Sequence, residues 1–152
     1  MAARTRKKAT FQPPYALAMV ICDAIWKDPG SGKRTILGCF STILAQKFPA
    51  SHPILAVYVA VTDGHGKVPL SLRLVDAKDD ENTLFSADGA GQYADPRAVL
   101  ELDFHIPGLV FPEPGEYRFQ LWAGDEMLIT RRLAVTQIPL PPSPSQPTEE
   151  QP

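Results

Sequence analysis

The chain has 152 residues, of which 44% are hydrophobic and 21% are charged, and its formal net charge is −2. These values are typical of one soluble globular domain, and they argue against sequence-independent binding to nucleic acid, which needs a basic field. Asp23 interrupts the longest apolar run, so no run approaches the roughly 20 residues that span a membrane. We therefore expect neither a nucleic-acid partner nor a membrane partner.

The N-terminus places basic residues before an apolar stretch, which is the order found in secretion signals. Four basic side chains within residues 4–8 precede Ala16–Cys22, but Pro13-Pro14 separates the two segments and Asp23 ends the apolar one. This interruption argues against an export signal. We predict a disordered basic arm over residues 1–14. With two cysteines and no export signal, we expect a cytoplasmic protein with free thiols.

The C-terminus is rich in Pro, Ser, Gln and Glu and has few apolar side chains. Residues 137–152 are therefore predicted to form a disordered tail, which leaves residues 15–136 as the folded domain. The prolines have the PxxP spacing of docking motifs, at Pro139, Pro142, Pro144 and Pro147. Since no Lys or Arg flanks them, a solvated tail is the favoured interpretation.

Between the two ends, alternating apolar and polar residues predict about eight strands. They cover residues 16–27, 34–44, 54–62, 70–74, 83–87 and 100–106 and the two arms of a hairpin within Phe111–Val135. Short strands at regular spacing, separated by Gly and Pro turns, indicate a sandwich or a barrel. The best helical candidate, Ser41–Phe48, is short and runs into Pro49. We predict a single antiparallel β-sandwich of the immunoglobulin-like type.

The closing hairpin begins at a Pro114-Gly115 turn, after which Tyr117, Phe119 and Leu121 alternate with polar residues. The start of this strand has two interpretations. Tyr117 could form a tyrosine corner, in which its hydroxyl bonds back to nearby backbone, or it could simply point inward. The pattern does not decide between them.

Several segments of the chain together resemble a prokaryotic family of unknown function. They are ICD at Ile21–Asp23, GKRTILGCFS at Gly32–Ser41, Phe48-Pro49-Ala50 with His52-Pro53, and PGEYRFQL at Pro114–Leu121. The resemblance covers about Tyr15–Val135. It implies a small all-β domain with no assigned reaction, ligand or catalytic residue.

The ionisable residues do not form a recognisable catalytic or metal-binding motif. His52 and His65 flank the third predicted strand and His105 lies on the polar side of another, so we expect three separate surface histidines. The glycines of Pro29–Lys33 lack the spacing of a phosphate-binding loop and are followed by a strand, which favours a hairpin turn. We predict no catalytic residue, no cofactor and no metal.

Two groups of carboxylates are the remaining candidates for acid–base chemistry. Asp79, Asp80 and Glu81 are expected to lie in a solvated turn. Glu101 and Asp103 share one side of their strand, but no cleft is implied there, so they are expected to be surface residues.

The first hairpin has a register that the sequence itself suggests. If Asp28 faces Lys33 across the four-residue loop Pro29–Gly32, then Asp23 lies opposite Gly38 on the more apolar face. A core-facing carboxylate would accept backbone N–H bonds or pair with Arg73 or Arg118, and this structural role is favoured. Anchoring a ligand pocket, or turning to solvent through a bulge, are the alternatives.

The same register places Cys22 directly opposite Cys39, both on the less apolar face of the hairpin. Directly opposite residues are close enough for a disulfide. In a reducing compartment we nevertheless expect two free thiols that serve as small buried hydrophobes and that mild oxidation would join.

The function predicted from the sequence is a non-enzymatic interaction or scaffold module with an unknown protein partner. This prediction rests on the lack of catalytic motifs together with exposed strand edges and a Pro-rich tail. The alternative is a small-ligand binder that uses the loops at one end of the sandwich. An apolar pocket with convergent polar groups would favour the alternative, whereas a flat apolar patch would favour the interaction module.

Overall fold

The computed structural model describes residues 12–142 of the chain. Most of the predicted arm and tail therefore lies outside the described residues, and the predicted domain limits stay predictions. The described part consists of strands and loops and has no helix with the length and hydropathy to cross a membrane. The strands are β1 (Tyr15–Lys27), β2 (Arg34–Cys39), β3 (Thr42–Ala45), β4 (Ala50–Thr62), β5 (Gly66–Asp76), β6 (Asp79–Tyr93), β7 (Leu100–Phe111), β8 (Gly115–Ala123) and β9 (Glu126–Gln137).

These strands form two sheets, with the orders β2-β1-β4-β7 and β3-β9-β8-β5-β6. The predicted all-β sandwich is thus confirmed. One pairing departs from the antiparallel expectation, because β3 runs parallel to β9. The single strand predicted over residues 34–44 is in fact two strands. The chain bends at Ser41 and carries β3 from the first sheet to the second, where it enters in the same direction as β9.

The core lies between the inner faces of the two sheets. Alternate residues of the central strands supply it, as the period of two in a β-strand requires. Fully buried examples are Leu55, Val57 and Val59 of β4, Leu72 and Leu74 of β5, and Tyr117, Phe119 and Leu121 of β8. Each such side chain contributes about 1.5–3 kcal/mol when it is removed from water.

Tyr117 at the start of β8 joins the core to the preceding loop. Its ring packs edge-on against Phe111, with 5.0 Å between the ring centroids. Its hydroxyl donates to the carbonyl oxygen of Glu113 at 2.6 Å, four residues upstream. This bond is the one that the tyrosine-corner interpretation predicts.

The acidic segment Asp79–Glu81 begins β6 and does not form the predicted turn. The turn lies two residues earlier, at Ala77-Lys78, where the Lys78 N–H donates to the Asp76 carboxylate at 2.9 Å. An aspartate that accepts a backbone N–H two residues ahead stabilises a turn. The Asp76 side chain therefore stabilises a turn at Ala77-Lys78, before the acidic segment begins.

The first hairpin has the predicted register. Cys22 lies opposite Cys39 and Lys27 lies opposite Arg34, and the Asp28 N–H donates to the Lys33 carbonyl at 2.8 Å. The pairing of β1 with β4 ends at Cys22, so the residues beyond it pair with β2 alone. We call this two-stranded segment, residues 23–38, the ribbon.

Candidate functional site

Asp23 is exposed, so the prediction that its carboxylate faces the core is wrong. By alternation Asp23 lies on the same side of β1 as the buried Ile21, but the ribbon extends beyond the part of β1 that pairs with β4. The carboxylate therefore faces an open cleft. The predicted pairing with Arg73 or Arg118 is also wrong, because both arginines lie on the outer face of the other sheet.

Gly38 allows the two strands of the ribbon to approach each other beside Asp23. Its φ of 67° lies in the left-handed region that favours glycine. A Cβ atom at this position would also collide with the carboxylate of Asp23. The opening of the cleft is thus shaped by a residue without a side chain.

The cleft lies between the base of the ribbon, β3 and the start of β4, and its volume is about 340 Å³. Its floor is apolar and continuous with the core through Ile43, and its lining includes a carboxylate, a hydroxyl and an imidazole. The lining residues are Asp23, Gly38, Cys39, Phe40, Thr42, Ile43, Leu44 and His52. Of the three predicted arrangements for Asp23, the pocket-lining one is closest to the structure.

His52 reaches this cleft because β7, which pairs with β4, is locally twisted at Gly108, whose φ is 63°. Ile106 is buried before the twist and Leu109 is buried after it, although residues three positions apart in a regular strand would lie on opposite sides. His52 lies opposite Leu109 and so faces inward, with its ring centroid 5.8 Å from that of Phe40.

The other two histidines lie elsewhere. His65 is exposed in the loop between β4 and β5, and His105 is exposed on β7. Within residues 12–142 no three His, Cys, Asp or Glu side chains are arranged to hold a metal ion.

Arg34 fastens the ribbon to the opposite edge of the first sheet. Its guanidinium donates to Glu101 at 2.6 Å and to Asp103 at 2.7 Å, and its side chain is 14% exposed. The Tyr58 hydroxyl donates to the second carboxylate oxygen of Glu101 at 2.5 Å. We call these four residues the Arg34 cluster. Glu101 and Asp103 are therefore partly buried ion-pair partners and not the simple surface residues that were predicted.

Burial, together with the hydrogen bond to Glu101, raises the pKa of Tyr58 to about 12. The cluster is thus stabilised by a hydroxyl that remains protonated well above neutral pH. Tyr58 and Asp103 are direct cross-strand partners on the face of the sheet away from the core. The contact of Arg34 with Asp103 therefore holds the end of the ribbon close to this outer face.

Cys22 and Cys39 are directly opposite, as predicted, but their surroundings differ. Cys22 is fully buried and Cys39 is exposed, so the prediction that both are buried is wrong for Cys39. Burial raises the pKa of Cys22 to about 11, with smaller contributions from the charges of Cys39 and Asp23. The predicted joining of the thiols by mild oxidation stays a prediction.

The ribbon also exposes large apolar side chains that the sequence interpretation did not single out. Trp26 is 53% exposed and Leu37 is 50% exposed. Alternation places both on the face of the ribbon that carries Cys39, because Leu37 lies opposite Ala24 and Trp26 opposite Thr35. The sequence could have indicated this face, because the alternation of side chains between the two faces of the hairpin continues beyond Asp23.

A family model described as "Family of unknown function (DUF6941)" matches residues 17–136. The chain belongs to this family. The resemblance inferred from the motifs is therefore confirmed for DUF6941, whose matched residues include the ribbon, the cleft and the Arg34 cluster.

No curated protein matches the chain. Among solved structures, it is similar to a β-glucosidase from Listeria innocua in complex with isofagomine, at 12% sequence identity and a TM-score of 0.39. The match covers 83% of this chain and 17% of the β-glucosidase chain.

Proposed function

We propose that the protein is a non-catalytic, cytoplasmic interaction module that binds a protein partner through the ribbon. The observation that carries this proposal is the exposure of Trp26 and Leu37 on one face of a segment that Arg34 holds in place. The exposed thiol of Cys39 beside them is in keeping with a reducing compartment.

A fixed and exposed tryptophan is the kind of residue that contributes most to binding at protein interfaces. It offers a large apolar surface, and a side chain on a braced strand pair loses little conformational freedom when it is covered. The two ion pairs of Arg34 restrict the ribbon before any partner arrives. They therefore favour recognition by a surface that is already formed.

The cleft is a second contact point at the base of the ribbon. Asp23 points to the opposite side of the ribbon from Trp26 and Leu37, and Cys39 belongs to their face and also borders the cleft. The cleft has an apolar floor with Asp23 and His52 at its rim, and it is open to solvent. An inserted side chain of a partner, with a polar or cationic end for Asp23, fits this arrangement.

We also propose that the sandwich is immunoglobulin-like. In support, the order β9-β8-β5-β6 corresponds to the G-F-C-C′ order of variable-type domains. The hydroxyl bond of Tyr117 then lies at the start of the strand that corresponds to F. In this correspondence the ribbon is an addition to the first strand of the sandwich.

The proposal is tested by affinity capture from the native host, followed by binding measurements with the purified partner. Trp26→Ala is expected to weaken binding about 30-fold or more, which is the range for a central interface residue. The matched control is Met127→Ala, which removes another exposed apolar side chain, 46% exposed, at the β8–β9 turn. Equal affinities for the two variants would reject the ribbon as the contact surface.

A second candidate function is the binding of a small ligand in the cleft. The cleft volume lies within the range of small-molecule sites, about 300–1,000 Å³, and polar groups of Asp23, Thr42 and His52 converge on it. A fragment screen by NMR would separate the two functions. Ligands whose affinity depends on Asp23 and not on Trp26 would favour the small-ligand function.

A further inference from the structure

The outer face of the five-stranded sheet carries polar residues in a regular array. On β8, Arg118 and Gln120 alternate with the buried Tyr117, Phe119 and Leu121. Gln120 lies between Arg73 of β5 and Thr130 of β9, and Arg118 lies directly opposite Arg132 of β9. We call Arg73, Arg118 and Arg132, with Gln120 and Thr130 between them, the arginine face. Arg131 lies opposite the inward-facing Phe119 and so belongs to the other side of β9.

Two like charges directly opposite each other on neighbouring strands destabilise a sheet. Arg118 and Arg132 share one carboxylate, that of Glu116, at 3.1 Å and 3.5 Å. Their side chains remain 42% and 77% exposed. One exposed carboxylate between two guanidinium groups leaves positive charge uncompensated at this position.

Arg73 adds to this excess. Among residues 12–142, no carboxylate lies within ion-pair distance of its guanidinium. Arg73 stacks on the ring of Trp122 at 5.0 Å, and the Trp122 N–H donates to the Gln120 side-chain oxygen at 3.1 Å. The stacking holds the Arg73 guanidinium over Trp122, four residues along β8 from Arg118.

The arginine face holds half of the arginines in the described chain. Residues 12–142 contain six arginines, and two of the three outside the arginine face, Arg34 and Arg97, pair with carboxylates. A concavity of about 420 Å³ lies beside the face and is lined by Arg118, Thr130, Arg131 and Arg132. Of these residues, Arg118, Thr130 and Arg132 share the outer face of the sheet.

We propose that the arginine face binds a ligand that carries two or more oxyanion groups, either phosphates or carboxylates. Guanidinium groups donate paired N–H bonds that match the geometry of these oxyanions. One group would lie in the concavity beside Thr130, on the side of Arg118 and Arg132 away from Glu116, and another toward Arg73. A bound oxyanion would also compensate the repulsion between the two opposite arginines. This site is on a different sheet from the ribbon and does not depend on the proposed function.

The test is a calorimetric titration of the full chain with inorganic pyrophosphate and, separately, with citrate. We expect at least one of these probes to bind at millimolar concentration or below. Arg132→Gln and Arg118→Gln should each weaken that binding about 10-fold or more, since each removes charge-assisted hydrogen bonds. Arg97→Gln is the matched control, because it removes an exposed arginine elsewhere and should leave the affinity unchanged.

The two probes distinguish the ligand classes. Preference for pyrophosphate assigns a phosphate-bearing ligand, and preference for citrate assigns a carboxylate-bearing one. Arg132→Lys keeps the charge but loses the paired geometry, so it should retain only part of the affinity. Failure of the native chain to bind either probe, or equal weakening by Arg97→Gln and Arg132→Gln, would overturn the proposal.

Discussion

The outer faces of the two sheets both place arginine beside carboxylate, but in opposite proportions. On the four-stranded sheet, one guanidinium, that of Arg34, meets two carboxylates and is 14% exposed. On the five-stranded sheet, Arg118 and Arg132 share the single carboxylate of Glu116 and are 42% and 77% exposed. In the first arrangement the guanidinium is paired with carboxylates of the fold. In the second, guanidinium N–H groups remain exposed to solvent.

This difference separates a structural use of arginine from a binding use. A partly buried cation with two acceptors stabilises the segments that it joins. Its removal leaves two partly buried carboxylates without a counter-ion. Exposed arginines that repel each other contribute little to folding. The ribbon is therefore expected to depend on its arginine for stability, and the arginine face is expected to depend on its arginines for ligand binding.

The largest expected effect is that of Arg34→Gln, which removes the cation from the Arg34 cluster. We expect the free energy of unfolding to fall by about 2–3 kcal/mol, less than the loss for a fully buried pair because Glu101 is 37% exposed. Urea denaturation measures this loss. A change below about 0.5 kcal/mol, the usual range for surface substitutions, would show that the cluster does not brace the ribbon.

The next effect concerns Tyr58, whose hydroxyl is bonded to Glu101. Tyr58→Phe should cost about 1 kcal/mol at neutral pH, because one hydrogen bond to the cluster is lost. The pKa of Tyr58 is raised in the folded state from 10.0 to about 12. The stability that the protonated hydroxyl provides is thus fully present below pH 10 and is lost as the pH rises through about 12.

Denaturation of the native chain and of Tyr58→Phe across pH 8–12 isolates this contribution, because both proteins share every other titrating group. The stability difference should be constant up to about pH 10 and should shrink above it. A difference that stays the same throughout would contradict the assigned hydrogen bond.

The smallest effect is expected on the arginine face without ligand. Arg118→Gln relieves the repulsion with Arg132, and it also gives up one weak ion pair with Glu116. The net change in unfolding free energy should lie within about 0.5 kcal/mol of zero. A loss above about 1.5 kcal/mol in urea would mean that Arg118 supports the fold, and the contrast between the two faces would fail.

The sequence predicted most of the sandwich, because its strands alternate and its turns contain Gly, Pro or Asp. The register of the first hairpin followed from the four residues between Asp28 and Lys33. Asp23 was misplaced for a physical reason. Alternation indicates on which side of a strand a residue lies, but it does not indicate whether another sheet covers that side.

The residues of the candidate site depended on contacts between distant parts of the chain. Arg34 is 67 and 69 residues from Glu101 and Asp103, so no local sequence pattern could predict this contact. His52 enters the cleft because the β4–β7 pair is twisted at Gly108. The twist exchanges which alternate residues of these strands face inward. The arginine face arises from the register between β8 and β9, which brings Arg118 and Arg132 together.

The contrast between the two faces is tested most directly by the thermal midpoints of Arg34→Gln and Arg132→Gln, each measured with and without the oxyanion probe that binds the native chain. We expect Arg34→Gln to have a lowered midpoint that the probe still raises, since ligand binding to the folded state stabilises it. We expect Arg132→Gln to have a nearly native midpoint that the probe no longer raises. A nearly native midpoint for Arg34→Gln, together with a lowered midpoint for Arg132→Gln, would show that the two faces do not differ in this way.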